Sequence, residues 1–302
     1  MNKANFLARH LPETALLSVA FIWGITFPLG KYVIATVPVF SYLGVRFLIA
    51  SAILFPLSRR GLKQATRYDL TVSLLIGLAL FGAFAFQTMG LFYTTAGKAS
   101  FANGLYAVLT PFLYFILFKT PLKKTAIVAS VMACVGVAML GGDISGLTEW
   151  DFGVTLVIIS TVFTALQIVG VGRYADLVDP MLLTFLQTIT VSVACLLIGF
   201  FFETWPEEIS GQVWLAIIFM AVFATVVAYF VQCRVQQKIS HTVTAVIISM
   251  ESVFGALLSW IFLDEKFTLI MITGCCLLFA AMLIAQMDSS TDASRPKLSD
   301  RK

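Results

Sequence analysis

Ten apolar stretches, each long enough to cross a bilayer, constrain the fold of this 302-residue chain more than any other feature. A helix needs about 20 mostly apolar residues to span a membrane. Hydrophobic residues make up 59% of the chain and charged residues only 12%, whereas soluble domains carry about 25% charged residues. The sequence therefore predicts an all-α membrane protein with ten transmembrane helices, over residues 14–35, 39–57, 69–92, 99–118, 124–141, 152–171, 181–202, 213–233, 242–263 and 267–286.

Lys and Arg residues are distributed unequally between the two sides of the predicted bundle. Of the 20 in the chain, only Lys31, Lys98 and Lys266 fall on the side opposite to the termini, and Arg46 lies within a span. Lys and Arg collect in cytoplasmic loops. We therefore expect a multi-pass protein of the cytoplasmic (inner) membrane with both termini in the cytoplasm.

One short pattern occurs in each half of the chain. The run Gly30–Tyr32 reads Gly-Lys-Tyr and is followed by Pro38, and the run Gly172–Tyr174 reads Gly-Arg-Tyr and is followed by Pro180. Each copy closes one apolar run and opens another. Because each repeat contains five predicted spans, an odd number, the second repeat enters the membrane from the opposite side, and we expect two inverted five-helix repeats. The expected organisation is a cytoplasmic N-terminal segment 1–13, a first repeat 14–141, a linker 142–151, a second repeat 152–286 and a disordered cytoplasmic tail 287–302.

Glu251 is the one acidic residue deep inside a predicted span. An ionised carboxylate at such a depth costs several kcal/mol and is usually kept because it faces a cavity, a partner or a proton path. We predict that Glu251 is a coupling-proton site or an anchor for a substrate amine. The alternative is structural: an ion pair, most simply with Arg46, or a position nearer the membrane interface.

Arg46 and Trp23 are two further candidates within spans. The Arg46 guanidinium offers a planar fork of donors to a substrate carboxylate, or it forms an ion pair or extends to the outer interface. Trp23 lies in the first span, where Gly24 and Pro28 weaken the helix. Its ring could hold a cationic or aromatic ligand, or it packs in the bundle.

Uncharged polar side chains at mid-span predict a wet cavity, although hydrogen bonds between helices explain such residues as well. Asn103, Tyr106 and Thr110 recur at spacings of three and four, which places them on one helix face. The predicted substrate-lining residues are Trp23, Gln87, Asn103, Tyr106, Gln167, Tyr229, Gln232 and Ser249.

Several motifs that define other function classes are missing from the sequence. There is no Gly-x-x-x-x-Gly-Lys-Ser/Thr loop for a nucleotide, no His-Glu-x-x-His or comparable metal cluster, and no evident nucleophile with a base. We therefore expect no catalytic residues, no metal and no cofactor. The basic residues lie in short loops and not along one face, so nucleic acid is not an expected partner.

The run Met250–Lys266, MESVFGALLSWIFLDEK, resembles the ninth helix and following turn of the EamA-type drug/metabolite transporters. The pairs at 23–24 (Trp-Gly) and 46–47 (Arg-Phe) and the run Gly90–Gly97 are also similar to that family, and the resemblance covers roughly residues 14–286. It implies a ten-helix inverted-repeat carrier, with a central cavity lined by helices 1, 3, 4, 6, 8 and 9. The family usually has proline after the glutamate, where this chain has Ser252.

These observations together predict a secondary transporter that works by alternating access. The expected substrate is an amino acid or a related amine-containing metabolite, moved in the export direction, with proton coupling at Glu251. Two alternatives stay open: efflux of hydrophobic cations or drugs, and a non-transporting membrane sensor or scaffold. The expected partners are the small-molecule substrate, the lipid bilayer and a second copy of the chain in a homodimer.

Overall fold

The protein is a bundle of helices. The computed structural model describes residues 3–119, 124–141, 151–237, 239 and 241–287, and within these ranges it contains helices but no β-strand. The helices are α1 (Lys3–Ile34), α2 (Val39–Gln64), α3 (Arg67–Tyr93), α4 (Ala96–Asn103), α5 (Tyr106–Phe118), α6 (Lys124–Gly141), α7 (Phe152–Tyr174), α8 (Pro180–Phe202), α9 (Gly211–Ala221), a π-helical segment (Val222–Val227), α10 (Ala228–Gln236), α11 (His241–Leu263) and α12 (Leu269–Met287).

Apolar helical stretches long enough to cross a membrane make up most of the described chain. Seven reach that length: Leu11–Ile34, Val39–Gln64, Arg67–Tyr93, Ala96–Phe118, Phe152–Tyr174, Pro180–Phe202 and Gly211–Gln236. Shorter apolar helices cover Ile127–Met139, Ile247–Leu263 and Leu269–Ile284. The predicted all-helical, multi-pass membrane class is therefore confirmed. The count of ten spans, the inversion and the domain limits stay predictions, and linker residues 142–150 and tail residues 288–302 lie outside the described residues.

The fourth predicted span is interrupted halfway. α4 ends at Asn103 and α5 begins at Tyr106, with Gly104 in the turn between them. The Gly104 N–H donates to the carbonyl of Phe101 at 3.0 Å, three residues back, where an α-helix would use the residue four back. The prediction that Asn103, Tyr106 and Thr110 share one continuous helix face is wrong, because the helix breaks between the first two.

A second irregularity lies between α9 and α10, where Val222–Val227 forms a π-helical segment. π-helical turns are rare and occur frequently at functional sites. The first span shows no such break, since α1 runs continuously through Gly24 and Pro28. The weakness that these two residues suggest in the sequence therefore does not interrupt α1. α11 is likewise continuous through Ser252, where the related family usually has proline.

Glycines let helices from the two halves of the chain approach closely. A Cβ built on Gly24 of α1 would lie 2.6 Å from the Cβ of Phe254 and 3.0 Å from the backbone nitrogen of Gly255 in α11. Gly90 of α3 meets Gly153 of α7 in the same way, at 2.6 Å from its carbonyl oxygen. Small residues are the usual means of close helix packing in a membrane, where apolar burial alone gives no drive for association.

Replacing Gly24 by Ala should destabilise the fold, because the added methyl group has no room between α1 and α11. Overpacking of this kind costs about 1–3 kcal/mol, and we expect a lower thermal unfolding midpoint in detergent. Gly211→Ala is the matched control, since a Cβ at Gly211 meets nothing within 4 Å. Equal unfolding midpoints for the two variants would show that the α1–α11 crossing is looser than the structure indicates.

Three charged side chains contact backbone groups of helix ends at the end of the bundle opposite to the termini, and two of them, Glu265 and Glu203, join the two halves of the chain. The Glu265 carboxylate accepts hydrogen bonds at 2.7 and 2.8 Å from the first two backbone N–H groups of α4. Glu203 accepts from two backbone N–H groups in the first turn of α2, at 2.9 and 2.6 Å. Lys31 Nζ donates to three carbonyls at the end of α3, at 2.7–3.1 Å. Anions at helix N-termini and cations at C-termini are the favourable arrangement for helix dipoles, so these contacts stabilise the helix ends on this side of the bundle.

Candidate substrate-binding cavity

A polar cavity lies inside the bundle, where eight helices that contain predicted site residues converge. Its volume is about 40 Å³, and most of its polar lining was predicted from the sequence. Room of that size holds a few water molecules. The lining residues are Trp23, Thr26, Phe27, Arg46, Leu80, Ala83, Phe84, Gln87, Asn103, Tyr106, Thr164, Gln167, Ile168, Tyr229, Gln232, Ile248 and Glu251.

Glu251 projects from α11 into this cavity and is 5% exposed. Asn103, the last residue of α4, donates from Nδ2 to Oε1 of Glu251 at 2.6 Å. The Tyr106 hydroxyl lies next to the same carboxylate, but its geometry falls short of a hydrogen bond, and among the described residues it has no other partner. The break between α4 and α5 is thus what brings an amide and a phenol to one carboxylate.

Arg46 occupies another part of the cavity wall and is 3% exposed. Its Nε donates to Thr225 Oγ1 at 3.0 Å and its Nη1 to the Tyr42 hydroxyl at 3.1 Å. The guanidinium carbon lies 5.1 Å from the ring centre of Phe84 and 5.5 Å from that of Phe47, which is cation–π distance. The remaining nitrogen, Nη2, is buried and has no hydrogen-bond partner among the described residues.

The two charges in the cavity do not pair with each other. In the described part of the chain the ion pair that forms joins Lys98 and Asp151 at 3.3 Å, outside this cavity. The structural alternative, in which Arg46 neutralises Glu251, is therefore wrong for this conformation. Extension of Arg46 to the interface is wrong as well, because its guanidinium is held by Thr225 and Tyr42 inside the bundle.

Trp23 connects the cavity to the π-helical segment. Its indole Nε1 donates to the carbonyl of Ala224 at 2.8 Å, and its ring centre lies 5.1 Å from that of Tyr229. Thr225, the partner of Arg46, belongs to the same π-helical segment. A rearrangement of this segment would therefore reach both Trp23 and Arg46.

Glutamines form the uncharged polar side of the cavity. Gln167 of α7 donates to Gln187 of α8 at 2.9 Å, and it exchanges longer hydrogen bonds of 3.4 Å with Gln232 of α10. Gln87 lines the cavity from α3. Amides that both donate and accept suit a polar ligand without fixing its charge.

Ser249 is the predicted lining residue that the structure places elsewhere. It lies in a separate cavity with Glu13 and Phe279. Two residues along an α-helix correspond to a rotation of about 200°, so Ser249 and Glu251 project from opposite faces of α11. Thr110 is turned away too, because its hydroxyl donates to the Tyr106 carbonyl at 2.7 Å.

Two lining residues without a predicted role contribute directly to the cavity. Phe84 provides the aromatic face next to the Arg46 guanidinium, and Thr164 lies one turn before Gln167 on α7. The spacing of three residues from Gln167 could have identified Thr164. Phe84 gave no signal, since it is one of 27 phenylalanines in the chain.

A buried polar cavity with unpaired charges, enclosed by apolar helices, defines a class of multi-pass membrane protein that handles a solute. Within the described residues no three His, Cys, Asp or Glu side chains come close enough to hold a metal ion. The lining residues come from both halves of the chain, so the cavity lies between the halves, as in many carriers.

Comparison with known proteins identifies this carrier class more closely. The sequence model of the EamA-like transporter family matches residues 11–142 and again residues 151–287. An uncharacterized transporter of Archaeoglobus fulgidus is 31% identical over 94% of this chain and 88% of its own length. The uncharacterized transporter YvbV of Bacillus subtilis is 26% identical over 93% of this chain and 94% of its own length.

The chain belongs to the EamA-like transporter family. One solved crystal structure has the same fold, with a TM-score of 0.68 at 17% identity, covering 91% of this chain and 97% of that one. The expected resemblance to the family is therefore confirmed, and the protein is a transporter of this type.

Proposed function

We propose that this transporter carries an amino acid or a related metabolite with both an amine and a carboxylate. The observation that carries the proposal is that Arg46 and Glu251 line the same cavity without pairing with each other. A zwitterion supplies the missing partner of each: its carboxylate accepts from Arg46 Nη2, and its ammonium group donates to Glu251. Charge-assisted hydrogen bonds of this kind are about twice as strong as neutral ones.

The cavity volume supports alternating access. At about 40 Å³ the cavity is far smaller than the roughly 300–1,000 Å³ of ordinary ligand sites. Substrate entry therefore requires the helices around it to separate. Residues on both sides of the α4–α5 break line the cavity, and the π-helical segment contacts the lining residues Trp23 and Arg46. Irregular helical segments of this kind are where transporters commonly bind and rearrange.

Helix packing supports two inverted repeats. In two equivalent five-helix repeats, α1 corresponds to α7, α3 to α10 and α4 to α11. The observed contact of α1 with α11 then has its equivalent in a contact of α7 with α4, and the contact of α3 with α7 has its equivalent in a contact of α10 with α1. Both exchanged contacts are present in the bundle. The family model also matches each half separately. We further propose ten spans in the cytoplasmic membrane, both termini in the cytoplasm as the Lys and Arg distribution predicts, and export as the physiological direction.

Proton coupling is proposed for Glu251, since it is the acidic residue that lines the cavity. Carboxylates inside membrane bundles commonly mark proton relays. Competition between a proton and the substrate ammonium group for one carboxylate would couple the two movements. Transport, and not catalysis, is the activity that this arrangement supports.

Efflux of hydrophobic cations is the second candidate function. Trp23, Phe84 and Tyr229 present aromatic faces to the cavity, and such faces attract cations. The Arg46 guanidinium in the same wall opposes this reading, because it repels a cation that carries no carboxylate.

Proteoliposome exchange tests the proposal. Vesicles loaded with an unlabelled amino acid should accumulate the labelled form from outside, and an imposed pH gradient should increase that accumulation. Unlabelled amino acids should compete, whereas tetraphenylphosphonium should not. If tetraphenylphosphonium competes and amino acids of all side-chain types fail to, the cation-efflux function replaces this proposal.

A further inference from the structure

A second cavity, larger than the substrate cavity, opens on the side of the bundle between α1, α11 and α12. Its volume is about 280 Å³, and it shares no lining residue with the substrate cavity. The walls are mainly apolar, from Leu17, Ile247, Met250, Phe279 and Leu283. Leu17 and Leu283 are 42% and 45% exposed, so the cavity opens toward the apolar surface that faces lipid.

One acidic side chain projects into this apolar cavity. Glu13 lies near the beginning of the apolar part of α1, at the bundle end where α12 finishes. Its Oε2 is buried and has no hydrogen-bond partner, and among the described residues Glu13 forms no ion pair. A buried carboxylate oxygen without a donor is unfavourable, and such groups in native proteins usually indicate an absent partner.

The chemistry of the missing partner follows from the two parts of the cavity. A cationic hydrogen-bond donor would pair with the carboxylate of Glu13, and a hydrocarbon chain would be buried favourably against the apolar walls. Water alone does not replace the missing partner of Glu13, because a buried water molecule needs two to four polar partners. The other polar residues of the lining, Thr14 and Ser249, already take part in other interactions.

We propose that this cavity binds a phospholipid with a primary ammonium head group, such as phosphatidylethanolamine. The ammonium group donates to Glu13, one acyl chain fills the space between α11 and α12, and the second chain stays in the bilayer. The site is separate from the substrate cavity, so the proposal stands whether or not the proposed substrate is correct. Its location at the α1–α11 crossing places the lipid against the helix that carries Glu251.

Native mass spectrometry of the full-length protein in detergent tests this site. Phosphatidylethanolamine and phosphatidylcholine with identical acyl chains are added in equal amounts, because only the former has N–H donors. The wild type should retain phosphatidylethanolamine with a preference of about tenfold, the scale of one charge-assisted hydrogen bond. Glu13→Gln should remove the preference. Glu208→Gln, which makes the same change at an exposed loop position, should keep it.

A second variant tests the cavity independently of its charge. Leu283→Trp places a large ring at the mouth and leaves Glu13 in place, so it should reduce retention of phosphatidylethanolamine, while the thermal unfolding midpoint without lipid reports whether the bundle remains folded. Three results would each overturn the proposal: equal retention of the two lipids by the wild type, an undiminished preference in Glu13→Gln, or displacement of the bound molecule by dodecylamine but not by phosphatidylethanolamine. The last result would assign the cavity to a single-chain amine.

Discussion

Glu251→Gln is expected to abolish pH-gradient-driven substrate accumulation in proteoliposomes. The substitution keeps the size of the side chain and its hydrogen bond to Asn103, which joins the two groups at 2.6 Å, but it removes the ionisable group. A transporter that moves protons through this carboxylate then has no means of using the gradient. The measurement is accumulation of labelled amino acid with and without an imposed pH gradient.

Exchange at equal pH separates the two roles that Glu251 could have. If the carboxylate carries only the proton, Glu251→Gln should still exchange labelled for unlabelled substrate, because exchange needs no net proton movement. If the carboxylate also anchors the substrate ammonium group, exchange should weaken about tenfold, since a hydrogen bond to a charged group contributes about 1.5–3 kcal/mol.

Glu208→Gln is the matched control for this experiment. Glu208 is exposed in the connection between α8 and α9, far along the chain from any lining residue of the cavity. It should retain both accumulation and exchange. Full accumulation and full exchange by Glu251→Gln would contradict both roles, and Glu251 would then be a structural partner of Asn103 alone.

The membrane-spanning helices and the polar lining of the cavity could be predicted from the sequence, because each follows from one physical requirement. Apolar stretches of about 20 residues are long enough to cross a membrane as helices. The free-energy cost of an ionised carboxylate in lipid requires Glu251 to lie in a polar environment. Most of the predicted lining residues converge because mid-span polar side chains avoid lipid. Ser249 does not, since depth in the membrane says nothing about which side of α11 a residue occupies.

Backbone irregularities could not be predicted in the same way. The π-helical segment Val222–Val227 reads as an apolar run with a single polar residue, Thr225, and its carbonyl contact with Trp23 depends on packing of distant segments. Gly24 and Pro28, which do look like breaks, leave α1 intact, because packing against α11 supports the helix there. Local propensity was overridden by contacts that only the folded bundle supplies.

Phe84 is a lining residue that could not be predicted from the sequence. Its role next to Arg46 depends on which of many phenylalanines faces the guanidinium, at 5.1 Å from the ring centre. Aromatic residues fill both lipid-facing surfaces and cavity walls, so residue type alone does not separate these positions.

Arg46→Met is expected to weaken binding of amino acids by tenfold or more, while the Met side chain keeps the packing of the aliphatic part of Arg46. The variant removes the one cation in the cavity wall and its free donor, Nη2. A carboxylate that loses a charged partner loses about 1.5–3 kcal/mol, which corresponds to roughly tenfold or more in affinity. Concentration dependence of exchange in proteoliposomes measures the effect.

A substrate analogue without a carboxylate gives the sharper measurement. For the wild type, an amino acid should compete far better than the corresponding decarboxylated amine, because only the former reaches Arg46. In Arg46→Met the two should compete about equally, since both keep the contact with Glu251. Arg46→Lys should be intermediate: it restores the charge without the planar fork that holds a carboxylate with two bonds.

Stability distinguishes a substrate contact from a structural role for Arg46. A buried cation without an ionic partner carries a desolvation penalty of several kcal/mol, and the apolar side chain of Met removes that penalty. Arg46→Met should therefore unfold at the same temperature as the wild type or higher. Arg59→Met is the control, because Arg59 also lies over a phenylalanine of α2, 5.1 Å from the ring of Phe55, but is exposed; it should leave exchange unchanged. A loss of thermal stability in Arg46→Met with an unaltered preference for the carboxylate would mean that Arg46 supports the π-helical segment through Thr225 and does not contact the substrate.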